Sequence, residues 1–184
     1  MRGAALLLAL SSMGAPAGAG CFAADGMPVK ATYQGGTTLE YMGREGDVLT
    51  YSSAGVLSRM QAGLWPLEHR SDGYLKQYRW DTPLPDLQEV IAAGGKARAE
   101  GEVSETKRKP APVAVEVEVL GSRTLDWEDC RYSVIEFRKV MTVGGKKVSE
   151  GVMLYAPDAM IAFRSDTVDL ATGEVYSYAL EVLE

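Results

Sequence analysis

The chain has 184 residues, 46% of them apolar and 24% charged, with 19 basic against 25 acidic groups and a formal charge of −6. That length suits one domain with a sizeable core. An acidic chain with no basic stripe argues against nucleic-acid binding, which draws its affinity from phosphate contacts, and against charge-driven attachment to an anionic membrane.

At the N-terminus, Arg2 is followed by an apolar run around Leu6, Leu7, Leu8 and Leu10, then by the small residues Ala17-Gly18-Ala19. A basic start, a short apolar core and small residues at −3 and −1 are what signal peptidase reads. Residues 1–19 are therefore expected to be a cleaved signal peptide, with the mature chain starting at Gly20. The run is too short for a transmembrane helix, which needs roughly 20 apolar residues, and no later segment approaches that length.

The chain has two cysteines, Cys21 and Cys130. In an exported chain a lone pair predicts a disulfide. The competing reading is a lipoprotein with Cys21 acylated. It is disfavoured because Gly18 stands where the lipidation motif wants a large aliphatic residue, and because Cys130 would be left over.

Turn signals then recur every 8–12 residues, the rhythm of an antiparallel β protein. Gly35-Gly36 separates Val29–Tyr33 from Thr37–Met42, and strands follow over Val48–Ser52, Val56–Gln61, Leu64–Arg70 and Tyr74–Trp80. In the last of these Tyr74, Lys76, Tyr78 and Trp80 share one face, and Leu75, Gln77 and Arg79 the other. Pro83-Leu84-Pro85 breaks the pattern, and Leu84, Leu87, Val90 and Ile91 recur at helical spacing. One short helix is expected over 85–93, stopped at Gly94-Gly95. Residues 94–112 carry almost no large apolar side chain and mix Lys and Arg with Glu, which predicts a mobile connector.

Beyond it Val113, Val115, Val117 and Val119 alternate with Ala114, Glu116 and Glu118, one buried face and one wet. A long strand from Cys130 to Val143 turns at Gly144-Gly145 into Lys147–Tyr155. Pro157-Asp158 leads into Met160–Val168, and Thr172-Gly173 into a last strand with Tyr176, Tyr178, Leu180 and Val182 on one face. The reading is a mainly β protein of nine or ten strands, an antiparallel meander curled into a barrel or half-barrel or split into a sandwich.

A strand opening at Cys130, the hairpin at Gly144-Gly145, the strand end Tyr155-Ala156-Pro157 and two closing strands resemble small exported bacterial β-sheet proteins, of the half-barrel type found in periplasmic lipoprotein carriers. The resemblance covers the C-terminal third. It implies a curved sheet with an apolar concave face and carries over no site residue.

Catalytic sets are sparse. His69 is the only histidine and sits beside a turn, where a solvated imidazole is expected. There is no Gly-x-Ser-x-Gly elbow, and one histidine with paired cysteines does not make a zinc site. Two acidic groups, Asp126/Glu128/Asp129 and Asp166/Asp169/Glu174, lack the calcium-loop spacing. The strand aromatics Trp65, Tyr74, Tyr78, Trp80, Tyr176 and Tyr178 are core by default; the sharper reading makes them the lining of a ligand site. The sequence thus points to a periplasmic or secreted, non-enzymatic protein without cofactor, binding a lipid or other apolar small molecule or an envelope protein. A hydrolase using His69 or a carboxylate pair, and a structural or assembly factor, are the alternatives.

Overall fold

A computed structural model describes residues 21, 22 and 26–184. The expected signal peptide and Gly20 lie outside the described residues.

Twelve antiparallel strands close into one barrel: β1 Lys30–Tyr33, β2 Thr38–Glu45, β3 Val48–Ser53, β4 Val56–Gln61, β5 Trp65–Ser71, β6 Tyr74–Trp80, β7 Lys96–Glu105, β8 Ala111–Trp127, β9 Cys130–Val143, β10 Lys146–Ala156, β11 Ile161–Asp169 and β12 Val175–Leu183. Each strand pairs with its sequence neighbours, and β12 closes on β1 through Ala31–Leu183 and Thr32–Val182. The mainly antiparallel β reading holds, and closure settles it as a barrel rather than a half-barrel or sandwich. A closed barrel leaves no edge along its paired length, and twelve strands enclose more space than the eight that side chains just fill.

The strand count exceeds expectation because β7 lies inside the segment read as a mobile connector. Residues 96–105 pair with β6 on one side and β8 on the other. The segment looked unstructured because its inward positions are small: Ala99 and Val103 are buried, with Ala97 and Gly101 on the same face. Small residues belong here, since a Cβ on Gly101 would overlap the backbone of Arg79 and Trp80. The outward positions carry the charges that suggested solvation, and Lys96 and Arg98 pair with Glu118 and Glu116 on β8. What remains of the connector is the glycine turn at 94–95 and the turn at 106–110.

The helix, α1, is Leu87–Ala92, shorter than expected. Asp86 caps it, accepting from Glu89 N while the Glu89 carboxylate accepts from Asp86 N, a reciprocal capping box. Gly95 N donates to Val90 O and ends it. Because α1 joins β6 to β7, it lies at the barrel end that also carries the β2–β3, β4–β5, β8–β9 and β10–β11 turns. Leu87 and Val90 pack there with Leu64, Trp65, Val115, Val117, Ile135 and Phe137, closing that end. A second cluster joins Ala31, Tyr33, Tyr132, Val134, Leu154, Ile161, Phe163 and Leu180, against which Phe22 and Trp127 pack.

Cys21 and Cys130 are disulfide-bonded, with Cα atoms 5.4 Å apart, within the span such a bond allows. The bond ties the N-terminal segment to the start of β9. The expected common face of β12 holds for Tyr178 and Leu180 but not for Val182, which is exposed. A register shift opposite Thr32/Tyr33 turns Val182 outward.

Candidate functional site

One row of residues crosses the sheet from β2 to β7 in direct register: Tyr41–Tyr51, Tyr51–Ser58, Ser58–His69, His69–Lys76 and Lys76–Glu105. Directly opposed residues on neighbouring strands share a face. Tyr41, Tyr51 and Ser58 line the barrel interior, so the whole row points inward. It forms a polar belt along one wall of an interior that also holds Leu49, Leu64, Trp65, Phe137 and Tyr155.

The belt is internally bonded. Ser58 Oγ lies 3.0 Å from His69 Nδ1, and the Tyr51 hydroxyl reaches Ser58. Lys76 Nζ lies 3.0 Å from Glu105 Oε1. Beyond Tyr41, the Tyr33 hydroxyl donates to Ala162 O at 2.9 Å. Burial raises the pKa of Tyr41 to about 12 and pushes Tyr33, Tyr51 and Tyr155 up as well. These phenols are neutral at any ordinary pH.

His69 is not the solvated imidazole expected from its place beside a turn. It packs edge-on to Tyr78, ring centroids 5.9 Å apart, and burial lowers its pKa to about 4, helped by the charges of Lys76 and Lys139. A neutral imidazole could in principle accept a proton from Ser58. Catalysis by such a pair needs an anion behind the imidazole to stabilise the cation it becomes. Here the charges acting on His69 are two ammonium groups, which oppose that step.

Across the barrel from the belt stands Lys139, on the inward row of β9 with Phe137 and Met141, opposite Val117 of β8 and Gly151 of β10. Its ammonium donates to Leu64 O at 3.1 Å. Burial lowers its pKa to about 8. It is half-buried, and it lines a cavity of about 360 Å³ inside the barrel. The cavity floor is the β4–β5 turn and Met160, at the α1 end; Thr37 and Ser53 stand at the opposite rim. Leu39, Leu49, Met60, Met153 and Tyr178 supply apolar wall. Gly63, with φ +67, makes the floor turn, and a Cβ there would overlap the Tyr155 hydroxyl. That hydroxyl is buried and has no hydrogen-bond partner.

The six aromatics singled out from sequence divide unevenly around this cavity. Tyr178 lines it, edge-on to Tyr33. Trp65 is fully buried, with Nε1 donating to Pro85 O, and Trp80 Nε1 donates to Pro66 O. Trp80 stacks on Tyr78, and the three are packing near the α1 end and its neighbouring wall rather than cavity lining. Tyr74 and Tyr176 are exposed on the barrel, with the Tyr176 hydroxyl bonded to Glu174. The residues that sequence reading missed are Tyr33, Tyr41, Tyr51, Tyr155 and Lys139. Their signal was available as inward alternation, which should have been applied to polar residues as it was to apolar ones.

The acidic clusters are engaged elsewhere. Asp126 pairs with Arg131, Asp166 with Arg164, and Asp169 accepts from Ala171 N and Thr172 N in the β11–β12 turn. Among the described residues no group of three or more His, Cys, Asp or Glu is placed to hold a metal ion. A shallow outer depression over β7, β8 and β9 is lined by Lys96, Arg98, Glu116, Glu118 and Arg138, whose charges already pair with one another.

Comparison with known proteins adds a fold. No family model matches the chain, and no curated protein does. Among solved structures, the hypothetical lipoprotein YmcC from Escherichia coli (K12) is similar over 84% of this chain and 87% of that one, with a TM-score of 0.50 and 9% identity. The barrel fold is shared. At that identity the likeness speaks to architecture alone. Among the described residues no helix is long and apolar enough to cross a membrane.

Proposed function

We propose that this chain is an exported, non-enzymatic barrel protein of the bacterial envelope that holds one small apolar or amphipathic molecule in its lumen. The cavity carries the reading. A barrel that needed only stability would fill its interior, as native cores do to crystal-like density. This one keeps about 360 Å³ free, walled by Leu39, Leu49, Met60 and Met153 and dotted with hydroxyls, within the size range of small-molecule sites. Export is supported by the signal-like residues 1–19 and by the Cys21–Cys130 bond, which needs an oxidising compartment. With Cys21 in that bond its sulfur is not free for a lipid, so a soluble periplasmic or secreted form is favoured over an acylated one.

The Ser58–His69 contact is the one observation that favours an envelope hydrolase. Two cations acting on the imidazole, with no carboxylate behind it, weigh against that reading. Native mass spectrometry of the disulfide-bonded protein, isolated from the envelope of its own host, tests the binding reading. One small-molecule adduct per barrel is expected, removed on denaturation. A bare mass, both as isolated and after incubation with a panel of single-chain amphiphiles, overturns it.

A further inference from the structure

Of the two inward lysines, one has its counter-charge and one does not. Lys76 faces Glu105. Lys139 has a single backbone carbonyl, Leu64 O, for three N–H donors, and among the described residues no Asp or Glu lines the cavity it faces. An ammonium taken out of water without an anion is costly. A protein with only stability to satisfy would carry Met or Leu there, as the same row does at Phe137 and Met141. The uncompensated cation is coupled to a second unsatisfied group. The Tyr155 hydroxyl, buried and without partner, sits against Gly63, one residue from the carbonyl that Lys139 holds. Two donors lacking acceptors therefore converge on one turn at the cavity floor.

We infer that the lumen selects ligands with an anionic head, a carboxylate or a phosphate monoester, seated at the floor against Lys139 and the Tyr155 hydroxyl, with the apolar chain running along Met60 and Met153 toward the rim at Thr37 and Ser53. The inference rests on the lumen-binding reading and names the chemistry of its ligand. An oxyanion would supply the missing counter-charge and an acceptor for the phenol, and charge-assisted bonds of that kind are the strong ones. A small side pocket of about 30 Å³ behind Lys139, lined by Ser149, Gly151 and Thr167, has room for a water molecule beside the ammonium. A cationic head would meet the Lys139 ammonium with no carboxylate on the cavity wall to offset it, and is excluded.

Titration calorimetry with four single-chain probes of equal length tests this: decanoate, decyl phosphate, 1-decanol and decyltrimethylammonium, added to the mature disulfide-bonded protein near neutral pH. At least one anionic probe should bind about ten-fold or more tighter than the alcohol, and the ammonium probe should not bind. Lys139→Met should abolish that preference and keep alcohol binding; Lys139→Arg should retain part of it. A melting curve of each variant, with and without probe, confirms that the barrel is folded. The anionic preference should also fade above pH about 8, where Lys139 loses its proton. The other groups facing the lumen are His69, Lys76, Glu105, Tyr33, Tyr41, Tyr51, Tyr155 and Tyr178, with Arg44 in register with Leu49 at the floor end, its charge acting on Tyr155 while its guanidinium donates to Gly46 O and pairs with Asp47. His69 titrates far below this range, and burial holds the phenols of Tyr33, Tyr41, Tyr51 and Tyr155 above it. If decanol binds as well as both anions, or Lys139→Met keeps the preference, the head-group inference fails and the lumen reading stands. If no probe binds, both fail.

Discussion

Lys76 and Lys139 sit on opposite walls of one lumen and have been given opposite settings. On the β5–β7 wall, burial pulls the Lys76 pKa down, but the Tyr78 phenol and the Glu105 carboxylate outweigh it and the value ends above the ordinary one. On the β9–β11 wall burial acts alone, and Lys139 falls to about 8. Across the first wall the charges cancel; on the second the ammonium faces the cavity with Leu64 O as its hydrogen-bond partner and no carboxylate among the residues lining that cavity. His69 lies between the two and reports on both, because each ammonium lowers its pKa.

The largest expected effect is at that reporter. The unfolded His69 takes up a proton near pH 6.5, the folded one only near 4. Between those values the unfolded state binds more protons, so stability falls as the pH drops from 6.5 through 4. The full difference corresponds to about 3 kcal/mol, trimmed to about 2 kcal/mol for the partial exposure of the ring. Urea midpoints across this range should show an acid limb that His69→Gln flattens. A limb unchanged in the variant would mean that His69 is solvated after all.

Next in size is Glu105→Gln, which makes Lys76 resemble Lys139. Stripping one partner from a fully buried pair costs roughly 3–5 kcal/mol. Lys76 and Glu105 are 22% and 15% exposed, so about 2 kcal/mol is expected, read as a lower urea midpoint at unchanged slope. Lys139→Met makes the converse change and should move stability the other way, up by about 1 kcal/mol near neutral pH, since an unpaired charge leaves the interior at the expense of one bond to Leu64 O. The sign with pH is definite. The folded Lys139 pKa lies below the unfolded 10.5, so its penalty is complete below pH 8 and is relieved as pH rises from 8 toward 10.5. The advantage of Lys139→Met should shrink over that interval. An unchanged gap would place the ammonium in solvent.

The two walls were not equally legible in the sequence. Turn chemistry marked most of the strands, though the reading counted nine or ten of the twelve, because Gly35-Gly36, Gly144-Gly145 and Thr172-Gly173 carry local conformational demands that one sequence displays by itself. β7 was hidden since a strand facing bulky partners needs small inward residues, and Ala97, Ala99 and Gly101 look like linker composition until Trp80 and Val115 are placed opposite them. The site was hidden for a related reason. Tyr41, Tyr51, Ser58, His69, Lys76 and Glu105 lie on six strands and become a belt only through register. Lys139 reads as a solvated lysine until closure puts β9 opposite β5. The aromatics that stood out, Trp65 and Trp80, stood out by size, and size is what a closed barrel end requires.

The smallest effect separates two tyrosines of the same lumen. Tyr33 and Tyr155 are both buried and both raised in pKa by that burial. The Tyr33 hydroxyl donates to Ala162 O at 2.9 Å, whereas the Tyr155 hydroxyl donates to nothing. Removing a bonded hydroxyl forfeits its net contribution and strands its acceptor, so Tyr33→Phe should cost about 1 kcal/mol. Removing an unsatisfied one relieves a desolvation penalty, so Tyr155→Phe should be neutral or stabilising by about 0.5 kcal/mol. The ring itself is kept in both variants, including the edge-on contact of Tyr155 with Phe137, so packing losses do not mask the difference. If an anionic ligand is bound, the order reverses for Tyr155. Its hydroxyl then has an acceptor, and Tyr155→Phe should lower the melting temperature of the loaded protein while leaving or raising that of the empty one. Thermal melts with and without decanoate decide it. Equal shifts in both states would mean that the Tyr155 hydroxyl never meets the ligand, and that Lys139 alone receives the head group.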